Sequence, residues 1–180
     1  MSAHRDHHIA RPRLLCVGLG SSHGDDQLGW AVADVLREWA ADHDDIDVRH
    51  AGTPIDLLHW LEGVDDVYLC DAISSQEPPG TMHRYESDLT ADDRSKILPE
   101  LQRLRVGGTH QIGLPAVLDL AATLGCLPQR LIVYGVTGRD FSPGQSPSAP
   151  LQAVVPEVAL TMWKDINARA VASPLAADSG

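Results

Sequence analysis

Apolar residues follow two rhythms along this chain, and the rhythms alternate. Leu14, Leu15, Cys16 and Val17 run unbroken into Gly18, as in a strand buried on both faces. Leu28, Val32, Val35, Leu36 and Trp39 then fall on one stripe of an amphipathic helix. Residues 46–51 predict a second strand, and after Gly52, Thr53 and Pro54 a helix carrying Ile55, Leu57, Leu58 and Leu61. A third strand, Val67 to Cys70, is closed by Asp71. The mixed segment 80–86 reads as an edge strand, because Met82 and Tyr85 alternate with charged neighbours. Residues 91–104 read as partly helical. Pro115 opens a helix that Gly125 stops, and Leu131 to Val136 forms the last strand. A Gly, Ser and Pro-rich loop, 137–150, precedes a final helix over about 151–170, bent at Pro156. Strands alternating with helices predict an α/β fold whose mainly parallel sheet carries helices on both faces.

Length narrows this to one domain, since 180 residues split between two cores would leave each marginal. The domain is expected over 13–170, between flexible tails at 1–12 and 171–180; His4, His7 and His8 lie in the first tail without hydrophobic periodicity. Against 14 basic side chains stand 25 acidic ones, a formal net charge of −11 that repels nucleic acid and anionic lipid. No run approaches the roughly 20 apolar residues of a membrane span, and no secretory signal is visible at the start. Cys16, Cys70 and Cys126 are odd in number and widely spaced, which predicts reduced thiols and, with the missing signal, a cytoplasmic setting.

In an open parallel sheet, ligands bind beyond the carboxyl ends of the strands, so polar residues that follow strand runs carry the chemistry. Three such places stand out: Gly18 to Asp26 after the first strand, Asp71 after the third, and Thr109 to Gly113 before the Pro115 helix. The first contains Gly18, Gly20 and Gly24 and is dinucleotide-like, but a pyrophosphate at the helix start would meet Asp25 and Asp26. Those carboxylates favour a cation, although one of them suffices as a helix cap. Asp26, Asp71 and His110 together form a three-ligand set for a borderline divalent metal with coordination positions left open. His23 is near enough in sequence to add a fourth ligand, with a surface-loop role the simpler assignment. A thiol nucleophile at Cys70 is disfavoured, because Cys70 and Asp71 are strand neighbours pointing to opposite faces. Ser21 and Ser22 lie outside any nucleophile elbow.

These blocks, in order, resemble the hydrogenase maturation proteases, nickel-dependent endopeptidases that trim the large subunit of nickel–iron hydrogenases. The matching segments are Gly18-Leu19-Gly20 with Gly24-Asp25-Asp26-Gln27-Leu28-Gly29, then Ala51-Gly52-Thr53, Cys70-Asp71-Ala72 with Pro79-Gly80-Thr81, and Thr109 to Leu114. The resemblance implies a five-stranded twisted sheet. It also implies a metal site at Asp26, Asp71 and His110, catalysis by Asp26 and Asp71, and substrate contact at Gly52 and Thr53. Nickel is expected to arrive in the precursor of the large subunit, the expected partner; cadmium or zinc suits the same ligands. Two departures are visible: Ser21 stands where asparagine is usual, in a loop one residue shorter, and Asp26 stands where several members carry glutamate. The expected function is removal of the precursor's C-terminal extension. Two alternatives remain open: a non-catalytic nickel-sensing or docking module, and a dinucleotide-binding protein.

Overall fold

Five short strands form one sheet in the order β2-β1-β3-β5-β4. They are β1 (Leu14–Leu19), β2 (Ile46–Ala51), β3 (Asp66–Ser74), β4 (Met82–Asp88) and β5 (Arg130–Gly138). The computed structural model describes residues 14–89 and 113–172; the expected helical stretch at 91–104, the first tail and most of the second lie outside them. β1, β2, β3 and β5 are parallel, and β4 runs antiparallel along β5 at the edge. The continuous apolar runs became the central strands and the mixed ones the edges, because only a central strand is covered on both faces.

Alternation along the strands sorts the core into two layers. Cys16, Tyr68, Cys70 and Tyr134 face α1 (Leu28–Trp39) and a C-terminal helix that we number α3 (Ala149–Ala172). Leu15, Val17, Leu69, Ile73 and Val133 face α2 (Leu114–Leu124) and a 3-10 helix at Pro54–His59. α2 ends as expected at Gly125, whose φ of 73° is left-handed. At its far end α3 is tied to the sheet by ion pairs. Asp66 accepts from Arg130 at 3.2 Å and from Arg169 at 2.9 Å, and Asp165 accepts from Tyr134 at 2.5 Å and Arg84 at 2.7 Å.

Four expectations are corrected. The helix after Pro54 is a single 3-10 stretch, because its carboxyl end meets Gly63 at φ 79° within a few residues of β3. Asp71 does not close its strand: β3 continues to Ser74, since β5 still pairs with it there. α3 starts at Ala149, two residues before the expected Leu151, and runs on through Pro156. On α1 the buried stripe is Leu28, Gly29, Val32, Ala33 and Leu36, while Trp39 stays 38% exposed and packs on Trp163. Gly29 and Ala33 join the contact because the helix lies unusually close to the sheet, and Val35 packs at its margin, partly buried.

Candidate active site

That close approach shapes the carboxyl edge of the sheet. A Cβ on Gly18 would stand 2.0 Å from the Gly29 carbonyl oxygen, and one on Gly29 would stand 1.9 Å from the Leu19 oxygen and 2.7 Å from that of Cys70. The start of α1 is therefore pressed into the seam between β1 and β3. This seam is also where the topology reverses, since β1 leads to β2 on one side while β3 lies on the other. Pairing of β1 with β3 stops at Gly18 opposite Cys70, and Asp71 is the next residue of β3.

Between β1 and α1 lies a 3-10 turn, Gly24–Gln27, packed against β3. With three residues per turn, adjacent side chains diverge by about 120°, so the tandem acids point to different surroundings. Asp25 is fully buried and accepts three backbone N–H bonds, from Arg139 at 2.8 Å, Asp140 at 3.0 Å and Ser148 at 2.6 Å. Burial alone pushes its carboxyl up, but these donors outweigh it and hold the group below the ordinary carboxylate value. Asp25 thus caps the loop after β5 rather than its own helix. Asp26 is half-buried; Ser21 donates to its Oδ2 at 2.5 Å, and no described residue donates to its Oδ1.

Asp71 is 1% exposed and lies on the α2 face of β3, between Leu69 and Ile73 and beside Gly135 of β5. Its neighbour Cys70 lies on the α1 face, as strand alternation requires. Burial, with the Asp71 charge beside it, drives the Cys70 thiol far above its ordinary value, so it is no thiolate nucleophile. His110 lies outside the described residues, three positions before Gly113, the N-cap of α2. His23 is exposed. Gly52 and Thr53 sit at the end of β2, where Ala51 accepts from Gly20 N–H at 3.1 Å and the Trp30 indole at 3.0 Å. The N–H groups of Gly52 and Thr53 both donate to Asp56 at 2.9 Å, so a peptide passing there meets other groups of theirs.

Among the described residues no three metal-ligating side chains come together. Of the two described acids, Asp71 is buried and Asp26 half-buried. Asp26 has one oxygen oriented by Ser21 and the other open, the arrangement of a ligating carboxylate with its supporting hydrogen bond. The dinucleotide reading does not survive. The amides that would cradle a pyrophosphate are spent, Gly24 N–H on Gln145 at 3.1 Å and Asp25 N–H on Asp140 at 2.6 Å. Gly24 makes room for a backbone, its would-be Cβ standing 2.1 Å from the Asp140 oxygen. A separate cavity of about 280 Å³ lies under α3, but its Arg84, Arg130 and Arg169 are already paired with Glu86, Asp66 and Asp165. What sequence reasoning missed is the part played by residues 139–148. Their only signal was position, directly after the carboxyl end of β5.

The profile of a family described as hydrogenase maturation protease matches residues 31–164. The hydrogenase expression/formation protein HupD of Rhizobium leguminosarum bv. viciae is 26% identical over 164 residues, 89% of this chain and 77% of that protein. HupD of Thiocapsa roseopersicina is 29% identical over 127 residues, 69% of this chain; the match spans about half, 54%, of that relative's length. Among solved structures, the hydrogenase maturating endopeptidase HybD from E. coli superposes with a TM-score of 0.69 at 20% identity, covering 87% of this chain and 93% of HybD. At that identity the likeness speaks for the fold.

Proposed function

The chain belongs to the hydrogenase maturation protease family, and from that premise we propose that it is an endopeptidase removing the C-terminal extension of a nickel-loaded hydrogenase large-subunit precursor. The observation that carries the proposal is the division of labour between the tandem acids. Asp25 is consumed by backbone amides, whereas Asp26 keeps a carboxylate oxygen to which no described residue donates, and Asp71 follows the residue at which pairing of β1 with β3 ends. Nickel enters as part of the substrate. Asp26, Asp71 and His110 would complete its coordination, so a precursor lacking the ion would lose that share of the binding energy. Cadmium or zinc would occupy the same donors.

Hydrolysis needs a base. In this reading a carboxylate, Asp26 or Asp71, takes a proton from water as the oxygen attacks the scissile carbonyl; the C–N bond then breaks and the proton passes to the departing amine. Of the two, Asp26 has the better access to solvent, being half-buried where Asp71 is 1% exposed. Gly52 and Thr53, beside the same loop, would border the bound peptide. A cytoplasmic setting accords with Cys16, Cys70 and Cys126, all free thiols. Among the described residues no helix is long and apolar enough to cross a membrane.

The test is incubation of the purified chain with nickel-loaded and nickel-free precursor, the products being weighed by mass spectrometry. Cleavage of the loaded form alone is expected, lost in His110→Ala with circular dichroism unchanged. Cleavage of neither form ends the enzyme reading, and stable capture of loaded precursor without product would make the chain a docking module.

A further inference from the structure

We infer that Asp25 is the positioning residue of this site: it clips the segment 139–148, here called the strap, onto the 3-10 turn and so sets where Asp26 stands. The inference rests on the reading of Asp26 as a working acid.

A carboxylate as buried as Asp25 persists only where donors surround it. Its donors are the backbone amides of Arg139 and Asp140 at one end of the strap and Ser148 at the other. A main-chain amide cannot swing away as a side chain can, so one carboxylate closes the strap into a loop of set size. The strap answers with bonds of its own. Asp140 and Gln145 accept from the amides of Asp25 and Gly24, and Gln145 also accepts from the Gln27 side chain at 2.8 Å. Packing leaves no slack: a Cβ on Gly138 would stand 3.0 Å from the Asp25 Cβ.

Asp26 is the next residue and inherits this fixation. On its other side its carbonyl oxygen lies against Gly20, where a Cβ would stand only 2.2 Å away, and its amide donates to His23 at 3.0 Å. The peptide joining the two acids is therefore held from both directions. Releasing the strap frees one of them, and rotation of so short a turn carries the Asp26 carboxylate off its bond with Ser21. Reactions of this kind tolerate little misplacement, about 1 Å costing on the order of a hundredfold in rate.

Asp25→Asn keeps the shape but sets an amide donor against backbone donors. Gln27→Ala removes the side-chain tie to Gln145 and a longer one, 3.2 Å, to the Gly24 carbonyl, leaves the Asp25 bonds in place and is the milder variant. Each is compared with the unaltered chain well below its unfolding temperature, by hydrogen exchange of strap peptides, by cadmium titration, and by kcat and KM on loaded precursor. In Asp25→Asn we expect strap exchange faster by about tenfold or more, weaker cadmium binding, and kcat/KM on loaded precursor lower by about 10- to 100-fold, with KM rising as cadmium affinity falls. Gln27→Ala should move each quantity the same way by less, and it carries the test if Asp25→Asn does not fold. A folded variant with a loosened strap but unchanged kcat/KM and cadmium affinity overturns the inference, as does a variant whose strap exchanges no faster. Failure of the unaltered chain to cut precursor would refute the protease reading instead, leaving exchange and cadmium affinity to judge the clip.

Discussion

Replacing Gly18 with alanine puts a methyl group where α1 already is. The new Cβ would lie 2.0 Å from the Gly29 oxygen, 2.5 Å from the Gly29 carbon and 2.9 Å from the Ala33 Cβ. Carbon and carbonyl oxygen sit no closer than about 3.3 Å, so the helix must retreat by roughly 1 Å, and the atoms in the way are backbone that no rotamer change can clear. A gap of that size forfeits about a quarter to a half of each contact it opens. Leu28, Val32 and Leu36, buried on this face, are each worth roughly 2 kcal/mol, so the retreat costs about 1.5–3 kcal/mol, and residual overpacking adds about 1–3 kcal/mol. Alanine's smaller unfolded-state entropy returns only about 0.4–1 kcal/mol. The net loss is about 3 kcal/mol, a large part of a typical domain's total stability of roughly 5–15 kcal/mol, and a fall in Tm of about 6–12 °C. Urea unfolding followed by circular dichroism measures it, with Gly52→Ala as the control because a Cβ there meets only an Asp56 oxygen at 3.8 Å. If Gly18→Ala proves as stable as that control, α1 is not seated by the glycine pair and the account of the seam is wrong.

Two further outcomes follow from the same geometry. Cys70→Ala should leave precursor cleavage within about twofold, because the thiol is buried and held protonated; a loss of kcat beyond about tenfold at full folding would restore a thiol mechanism. At Asp165, burial pushes the carboxyl up, but the Tyr134 hydroxyl and Arg84 overcome it and hold it below its ordinary value of 3.8. A depressed carboxylate stabilises the fold above the unfolded value and loses that contribution as pH falls through the folded one. Asp165→Asn should therefore lower Tm at neutral pH, with the gap to the unaltered chain closing below about pH 4. A gap constant from pH 7 down to pH 2.5 would remove the ion pair as its cause.

The strands were legible because burial on two faces leaves an unmistakable local mark, as in Leu14 to Val17 and Val67 to Cys70. Helix boundaries followed where a capping residue spoke plainly, as Gly125 did. The stretch after Pro54 misled because Ile55, Leu57, Leu58 and Leu61 fit a helical stripe, and only the distance to β3 decides that one 3-10 stretch is all the chain can hold. Asp71 reads in sequence as the residue that closes its strand, and the sheet places it otherwise. It stands at the end of β1, not of its own strand, and strand pairing is a property of partners remote in sequence.

Order and spacing of residues alone determined the alternating α/β architecture, the central and edge strands, the opposite facing of Cys70 and Asp71, and the family blocks around Asp26 and Asp71. These are one-dimensional signals, carried by period, glycine placement and strand-end position. Tertiary structure alone decided which of two adjacent aspartates is structural. Asp25 and Asp26 are chemically identical and next to each other, so nothing local separates them; what does is the arrival of three amides from more than a hundred residues downstream. A buried charge takes whichever position its donors can reach, and that is settled only when β5 lays the strap across the turn.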